Sequence, residues 1–176
     1  MTTYEHKSSE QSQIRQRKNL RLPSYDYSSV GVYFITICSY DRQMIFGKIV
    51  NGEWFPEPFG MIVQDAIESL ADHYEHVRVD HSVVMPNHMH MILWIDNGND
   101  KSHTLGNIVR GFKSEVSRKC GMRVWQRGFY EHIVRNEQDL QEIRTYISNN
   151  PKKWEMDRHN PEHEKYASWK EPCAEP

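Results

Sequence analysis

A chain of 176 residues, 38% hydrophobic and 26% charged, can bury the core of one domain, which excludes global disorder. Its formal net charge of −2 excludes a uniformly basic nucleic-acid-binding chain. No stretch approaches the ~18 apolar residues of a membrane span, so we expect no membrane partner. The start lacks a secretory-signal layout, and the three cysteines are scattered, so we expect a reducing, cytoplasmic setting.

The near-neutral total conceals an uneven distribution of charge. A basic cluster lies in the polar leader and comprises Arg15, Arg17, Lys18 and Arg21. The segment Leu105–Arg127 is also basic, whereas acids predominate after Trp154. We therefore expect a polar basic leader (1–25), one domain (26–155) and an acidic tail (156–176). The basic segments suit local binding to a polyanion, although exposed helix faces are often charged without any such role.

The first half of the chain contains signals for a strand, a hairpin and a helix. Gly31–Ser39 is β-branched, aromatic and apolar at both parities, as a strand covered on both faces would be. Asn51-Gly52, between Met44–Val50 and Glu53–Phe55, predicts a tight hairpin turn. Apolar residues then recur at helical spacing, which predicts an amphipathic helix over Gly60–Tyr74.

The second half predicts a strand pair, two helices and a further strand. In the first strand of the pair the apolar residues Val77, Val79, Val83 and Met85 share one parity. The remaining predicted elements, in chain order, are a turn at Pro86-Asn87, a strand over His88–Ile95, a helix from Leu105 to a stop at Gly121, a strand over Phe129–Val134, and a helix capped by Asn136 that ends near Asn150.

This order contains a βαββαβ core, which is the pattern of ferredoxin-like and RRM-like folds. We therefore predict an α+β protein with a mainly antiparallel sheet. An extra hairpin follows the first strand, and an added C-terminal helix completes the domain. Fold alone does not assign a function.

Two histidines and a downstream pair of residues are the candidate chemical groups. His88 and His90 are two apart in a predicted strand, so both imidazoles point to one face and could bind one divalent metal ion. Tyr146 and Asn150 are four apart in a predicted helix and share a face. Each pair alone also fits ordinary structural roles: surface or half-buried histidines, a core or rim tyrosine, and a helix ending before Pro151.

Three blocks of sequence carry a family resemblance. They are LPSYDYSSVGVYFITICSYDR (22–42), MPNHMHMILWI (85–95) and WQRGFYEHIVRNEQDLQEIRTYISNNPKKW (125–154). Together they resemble the REP-associated tyrosine transposases of the single-tyrosine HUH transposase superfamily, over most of the predicted domain. The resemblance implies that His88 and His90 are metal ligands, that Tyr146 is the nucleophile and that Asn150 is the third ligand. Classical relatives use glutamine at the last position.

The resemblance also implies an activity. It is metal-dependent cleavage and strand transfer of single-stranded DNA at hairpin-forming palindromes, through a 5′-phosphotyrosine intermediate. The expected cofactor is Mg²⁺ or Mn²⁺, the expected partner is single-stranded or hairpin DNA, and the chain would work as a monomer or a homodimer. Candidate phosphate contacts are Arg110 and Lys113 on the second long helix, together with the leader residues Arg15, Arg17, Lys18 and Arg21.

Two other functions remain open on the sequence. The first is a non-catalytic regulator that binds DNA hairpins and retains the fold. The second is a zinc-dependent hydrolase in which His88 and His90 are joined by another histidine. The ligand-like pairs His73/His76 and His159/His163 could supply it, but this function leaves Tyr146 without a role.

Overall fold

The computed structural model describes residues 31–96, 104–157 and 160. The leader residues Arg15, Arg17, Lys18 and Arg21 lie outside this part of the chain, as do His159, His163 and most of the predicted acidic tail. The elements in chain order are β1 (Gly31–Cys38), β2 (Gly47–Val50), β3 (Glu53–Pro56), α1 (Pro58–Glu68), α2 (Leu70–His73), β4 (Val77–Met85), β5 (His88–Ile95), α3 (Leu105–Cys120), β6 (Tyr130–Val134) and α4 (Glu137–Asn149).

The main sheet has four strands in the order β4-β5-β1-β6, and every neighbouring pair is antiparallel. This is the strand order of a βαββαβ core, so the predicted α+β class with a mainly antiparallel sheet is confirmed. Strands β2 and β3 form a separate hairpin. Its turn residues Asn51 and Gly52 have φ of 54° and 77°, the left-handed conformations that a tight two-residue turn needs.

The larger core lies on one face of the sheet. Tyr33, Ile35, Met89 and Met91 point to this face and pack with apolar residues of α1 and α3. Helix α3 begins at a Thr104 N-cap, whose hydroxyl accepts the Asn107 N–H, and ends at the left-handed Gly121, as predicted. These two helices therefore cover the face that the histidines do not occupy.

The opposite face carries helix α4. Leu140, Ile143 and Ile147 of α4 pack with Phe34 and Ile92 of the sheet in a smaller apolar cluster. Asn136 caps the helix, as predicted, because its side chain accepts the Asp139 N–H at 2.9 Å. The helix that carries Tyr146 is thus placed over the histidine face.

Two local expectations are wrong. The predicted helix over Gly60–Tyr74 begins earlier, at Pro58, and Ser69 divides it into α1 and α2. The single parity of β4 is also interrupted, because the pairing register with β5 shifts between Val79 and Ser82. As a result Val83 packs with the smaller cluster, and Val84 takes its place in the larger core.

Among the described residues, none of the helices combines the length and the apolar character that crossing a bilayer requires.

Candidate active site

His88 and His90 are adjacent on strand β5 and share the face that α4 covers. Both side chains are buried, and their Nε2 atoms lie 3.1 Å apart. The Nδ1 atoms are engaged on the far sides of the rings: that of His88 lies 2.9 Å from Asn87 Oδ1, and that of His90 lies 2.8 Å from Thr36 Oγ1. The two rings are therefore held from behind, with their Nε2 atoms directed at one another.

Tyr146 approaches this pair within the same chain. Its Oη lies 3.4 Å from His90 Nε2, and its ring meets the His90 ring edge-on with centroids 5.2 Å apart. Phe34 supports the arrangement, because its ring stacks on His90 and meets the Tyr146 ring at 89°. Nevertheless 46% of Tyr146 is exposed, so the residue is accessible from solvent.

Asn150 lies at the end of α4, one turn after Tyr146. Its side chain is 4% exposed, and its Oδ1 is buried without a hydrogen-bond partner. A buried hydrogen-bond acceptor that lacks a partner costs about 1–3 kcal/mol, so native proteins seldom contain one that has no function. Pro151 begins the following 3₁₀ turn, whose Trp154 ring lies 6.0 Å from the His88 ring.

The donors present fit a divalent metal ion. One ion about 2.1 Å from each imidazole nitrogen can contact both, since the two nitrogens are 3.1 Å apart. Within residues 31–96, 104–157 and 160, no three His, Cys, Asp or Glu side chains could together hold a metal ion. Among these residues, a third ligand for the histidine pair would be of another type, and the unsatisfied oxygen of Asn150 has the chemistry that Mg²⁺ and Mn²⁺ accept.

An ion pair that the sequence did not suggest anchors α4 to the sheet. Arg144 donates from Nε and Nη2 to the two carboxylate oxygens of Asp80 at 2.8 and 2.6 Å, and Trp94 Nε1 donates to the same carboxylate. The Arg144 hydrogen bond is the main reason that the pKa of Asp80 falls from 3.8 to about 2. Asp80 lies at the register shift of β4, a feature without a sequence signature.

The two predicted phosphate contacts on α3 have different surroundings. Arg110 is exposed, and its guanidinium donates to Asn107 on the same helix. Lys113 Nζ instead donates to the carbonyl oxygens of Gln126 and Gly128 at 2.6 and 2.8 Å, and burial lowers the pKa of its ammonium group. Both residues lie in the helix layer opposite the site. Lys113 holds the loop before β6, and its contact with DNA stays a prediction.

The described residues do not support the zinc-hydrolase alternative at His73 and His76. His73 and His76 are exposed, and His73 Nδ1 contacts the Ser69 carbonyl oxygen. In the described ranges no cluster of three potential His, Cys or acidic ligands includes either of them.

Comparisons with known proteins identify relatives of the chain. No protein-family model matches it. An uncharacterized protein of Haemophilus influenzae is 37% identical over 168 residues, covering 82% of this chain and 93% of the relative. A REP-associated tyrosine transposase of Escherichia coli is 36% identical over 72 residues, covering 40% of this chain and 42% of that protein.

The chain is a homologue of the REP-associated tyrosine transposases.

The fold agrees with this relationship. A solved REP-associated tyrosine transposase bound to a REP hairpin aligns over 76% of this chain and 74% of its own, with a TM-score of 0.60 and 24% sequence identity. That similarity shows a shared fold. Homology to transposases supports a transposase-like role. His88, His90 and Tyr146 meet at the face of the sheet that α4 covers.

Proposed function

We propose that the chain cleaves and rejoins single-stranded DNA at hairpin-forming palindromes, in a metal-dependent reaction with Tyr146 as the nucleophile. One observation carries the proposal: Tyr146 Oη lies 3.4 Å from Nε2 of His90, whose imidazole is paired with that of His88, all within a single chain. Packing alone does not require a phenol on an exposed helix face to contact a buried pair of imidazoles. A nucleophile does need to reach the phosphate beside an electrophilic centre.

The proposed step is a transesterification. Tyr146 Oη forms a bond to phosphorus and loses its proton, while the bond between phosphorus and the 3′ oxygen breaks and that oxygen gains a proton. The products are a 5′-phosphotyrosine and a free 3′-OH. Attack of a 3′-OH on the tyrosyl ester reverses the exchange and joins strands. One ester replaces another, so the reaction needs no nucleotide cofactor.

His88, His90 and Asn150 are the residues that would hold Mg²⁺ or Mn²⁺. The bound ion supplies charge stabilisation of the phosphate oxygens, undiminished because all three ligands are neutral. The chain's own residues supply the orientation. Phe34 buttresses both Tyr146 and His90, and the Asp80–Arg144 ion pair holds α4 against the sheet. This rigidity keeps the phenol close to its target before DNA binds.

The proposed substrate is a DNA hairpin with an adjoining single strand. Two findings support this choice: the homology to REP-associated tyrosine transposases, and the solved relative that is bound to a REP hairpin. Tyr146 is accessible to such a substrate, since 46% of the residue is exposed.

The test is formation of a covalent adduct. The full chain is incubated with end-labelled hairpin DNA and Mn²⁺, and the products are separated on a denaturing gel. Tyr146→Phe should abolish the adduct, because it removes the only atom that the proposed ester can use. Tyr130→Phe is the matched control: Tyr130 is also 46% exposed and also meets the Phe34 ring, so its variant should form the adduct normally.

The metal requirement is tested in the same assay. His88→Ala should reduce cleavage at least about 100-fold, since metal stabilisation contributes several kcal/mol, while hairpin binding remains. An adduct in Tyr146→Phe would refute the nucleophile, and undiminished cleavage by His88→Ala would refute the metal pair. Hairpin binding by the wild type without any covalent product would instead establish the non-catalytic regulator.

A further inference from the structure

Asn87, the residue before the histidine pair, is buried, and it contacts His88 from behind. The side chain is 1% exposed, and its Oδ1 lies 2.9 Å from His88 Nδ1. On its other side, Asn87 Nδ2 donates to the Arg42 carbonyl oxygen at 3.3 Å. The backbone of Asn87 is also fixed, because its carbonyl oxygen accepts the Ser39 N–H at 2.9 Å. Asn87 is thus the link between His88 and the loop after β1.

The Arg42 contact determines which way the Asn87 amide faces. A backbone carbonyl oxygen can only accept a hydrogen bond, so the Asn87 atom beside it must be the NH₂ group. The atom beside His88 Nδ1 is therefore the amide oxygen, which can only accept. It follows that His88 Nδ1 carries the hydrogen and donates it, and that the neutral ring has its lone pair on Nε2.

The loop that supplies the Arg42 carbonyl is held in an uncommon conformation. Asp41 and Arg42 have φ of 53° and 54°, left-handed values that strain the backbone of a non-glycine residue. Two backbone hydrogen bonds close this turn: Arg42 N–H donates to the Ser39 carbonyl oxygen, and Gln43 N–H donates to that of Tyr40, both at 3.2 Å. The turn directs the Arg42 carbonyl at Asn87, so the strained backbone has an identifiable use.

The hydrogen bond behind His90 does not by itself select a tautomer. The partner of His90 Nδ1 is the Thr36 hydroxyl, which can either donate or accept and therefore fits both tautomers. Because His88 Nε2 has a lone pair, the His90 Nε2 atom 3.1 Å away carries the hydrogen in the metal-free chain, and the Thr36 hydroxyl then donates to His90 Nδ1.

We propose that Asn87 is a positioning residue, which fixes His88 in the Nδ1–H tautomer and directs its Nε2 lone pair at the metal position. The inference rests on the proposed function, since only a metal gives that lone pair a task. Outer partners of this kind typically change metal affinity by about 10–100-fold when they are removed. Asn87 itself touches neither the ion nor the DNA.

The first measurement needs neither metal nor DNA. Side-chain ¹H–¹⁵N correlation spectra of the metal-free full chain are recorded at about pH 8, where a histidine of ordinary pKa near 6.5 is neutral. The His88 signals are identified by their loss in His88→Gln. The wild type should show the Nδ1–H pattern for His88. Asn87→Ala should show a mixture of tautomers, and Asn87→Asp should keep the Nδ1–H form, because a carboxylate also accepts.

The second measurement is Mn²⁺ binding by calorimetry without DNA. Asn87→Ala should weaken binding about 10–100-fold. Asn87→Asp should bind at least as tightly as the wild type. Asn107→Ala makes the same chemical change on α3, in the opposite layer, and should leave both the tautomer and the affinity unchanged.

Several results would overturn the proposal. One is an Nε2–H pattern for His88 in the wild type. Another is an Asn87→Ala protein that keeps both the tautomer and the Mn²⁺ affinity. If Asn87→Ala does not fold, Asn87→Asp decides, because loss of the Nδ1–H form in a folded Asn87→Asp protein contradicts the proposal. A wild type that binds no Mn²⁺ refutes the metal function, whereas the spectra still decide the role of Asn87.

Discussion

The two faces of the main sheet differ in the size of the apolar cluster that covers them and in the exposure of the side chains above them. On strand β5, Met89 and Met91 point into the larger core beneath α1 and α3, whereas His88 and His90 point toward α4. The first face is sealed by two helices and their apolar side chains. The second has a small apolar cluster and leaves Tyr146 half exposed. Alternate side chains of β5 therefore have different roles. One set packs in the larger core and stabilises the fold, and the other set, as we propose, takes part in the chemistry.

The difference shows how a reactive face can be kept ordered without being buried. Five buried residues form the apolar contact under α4, which is little for a helix that must hold a nucleophile in place. Polar anchors add to it: Arg144 binds Asp80 of β4, and Asp139 binds His132 of β6 at 2.9 Å. Directional hydrogen bonds of this kind fix the direction of the helix while leaving room for a substrate, which a thicker apolar layer would fill.

Phe112→Ala is the strongest way to break the apolar face. Phe112 is 1% exposed on α3, and its ring packs 5.9 Å from that of Trp125. Removing the ring should lower the free energy of unfolding by about 3–5 kcal/mol, through lost burial and a cavity. Urea unfolding measures this loss. DNA cleavage per folded molecule should stay at the wild-type level, because α3 covers the face opposite the site.

The control for Phe112→Ala is Met61→Ala on α1. Met61 is 55% exposed, so its truncation should change the free energy of unfolding by no more than about 0.5 kcal/mol. A Phe112→Ala protein that remains folded but cleaves poorly would show that the two faces are coupled, and would contradict the division of roles between them.

Asp80→Asn is the corresponding way to break the α4 face. The variant should lose about 2 kcal/mol of stability at pH 7, since the pKa of Asp80 is about 2 in the folded chain against an ordinary 3.8. A lowered pKa stabilises the fold above pH 4, and this contribution disappears as the pH falls toward 2. Urea unfolding of wild type and variant should therefore converge at low pH. Cleavage should also slow, because α4 loses its anchor.

Glu115→Gln is the matched control for Asp80→Asn. Glu115 pairs with Lys119 one turn along α3, in an ion pair more exposed than that of Asp80. Such pairs contribute about 0.3–0.5 kcal/mol, so this variant should barely change stability or cleavage. An equal loss in the two variants would mean that the Asp80–Arg144 pair is no more than a surface contact.

The sequence predicted the features that depend on residues close together along the chain, such as strand parity and helix caps. Alternation along His88–Ile95 placed both imidazoles on one face, and Asn136 predicted the start of α4, because caps and strand parity depend on neighbouring residues. The ion pair between Asp80, at the register shift of β4, and Arg144 is a contact between distant segments. Asp80 and Arg144 are 64 positions apart, and no local pattern connects them.

The sequence named candidate site residues, but not the contacts that hold them in place. Spacing and the family resemblance named His88, His90, Tyr146 and Asn150, and the structure brings Tyr146 up to the histidine pair. The contact of Asn87 with Arg42 behind His88, and that of Lys113 with two carbonyl oxygens in the opposite layer, were not predicted. In each contact the acceptor is a backbone carbonyl oxygen of a loop. Every residue type has this oxygen, so the sequence does not indicate which one is used.

Arg110→Gln should have the smallest effect, and it tests how far DNA extends beyond the α4 face. Arg110 is exposed on α3, in the layer opposite the site. If its guanidinium meets one phosphate at the sheet edge, the variant should bind hairpin DNA a few-fold more weakly. The slope of log affinity against log salt should also become less steep by about one. Arg118→Gln, also exposed and two turns further along α3, is the matched loss of charge. An unchanged slope for Arg110→Gln would confine the DNA to the α4 face, whereas equal changes in both variants would indicate a diffuse field instead of a contact.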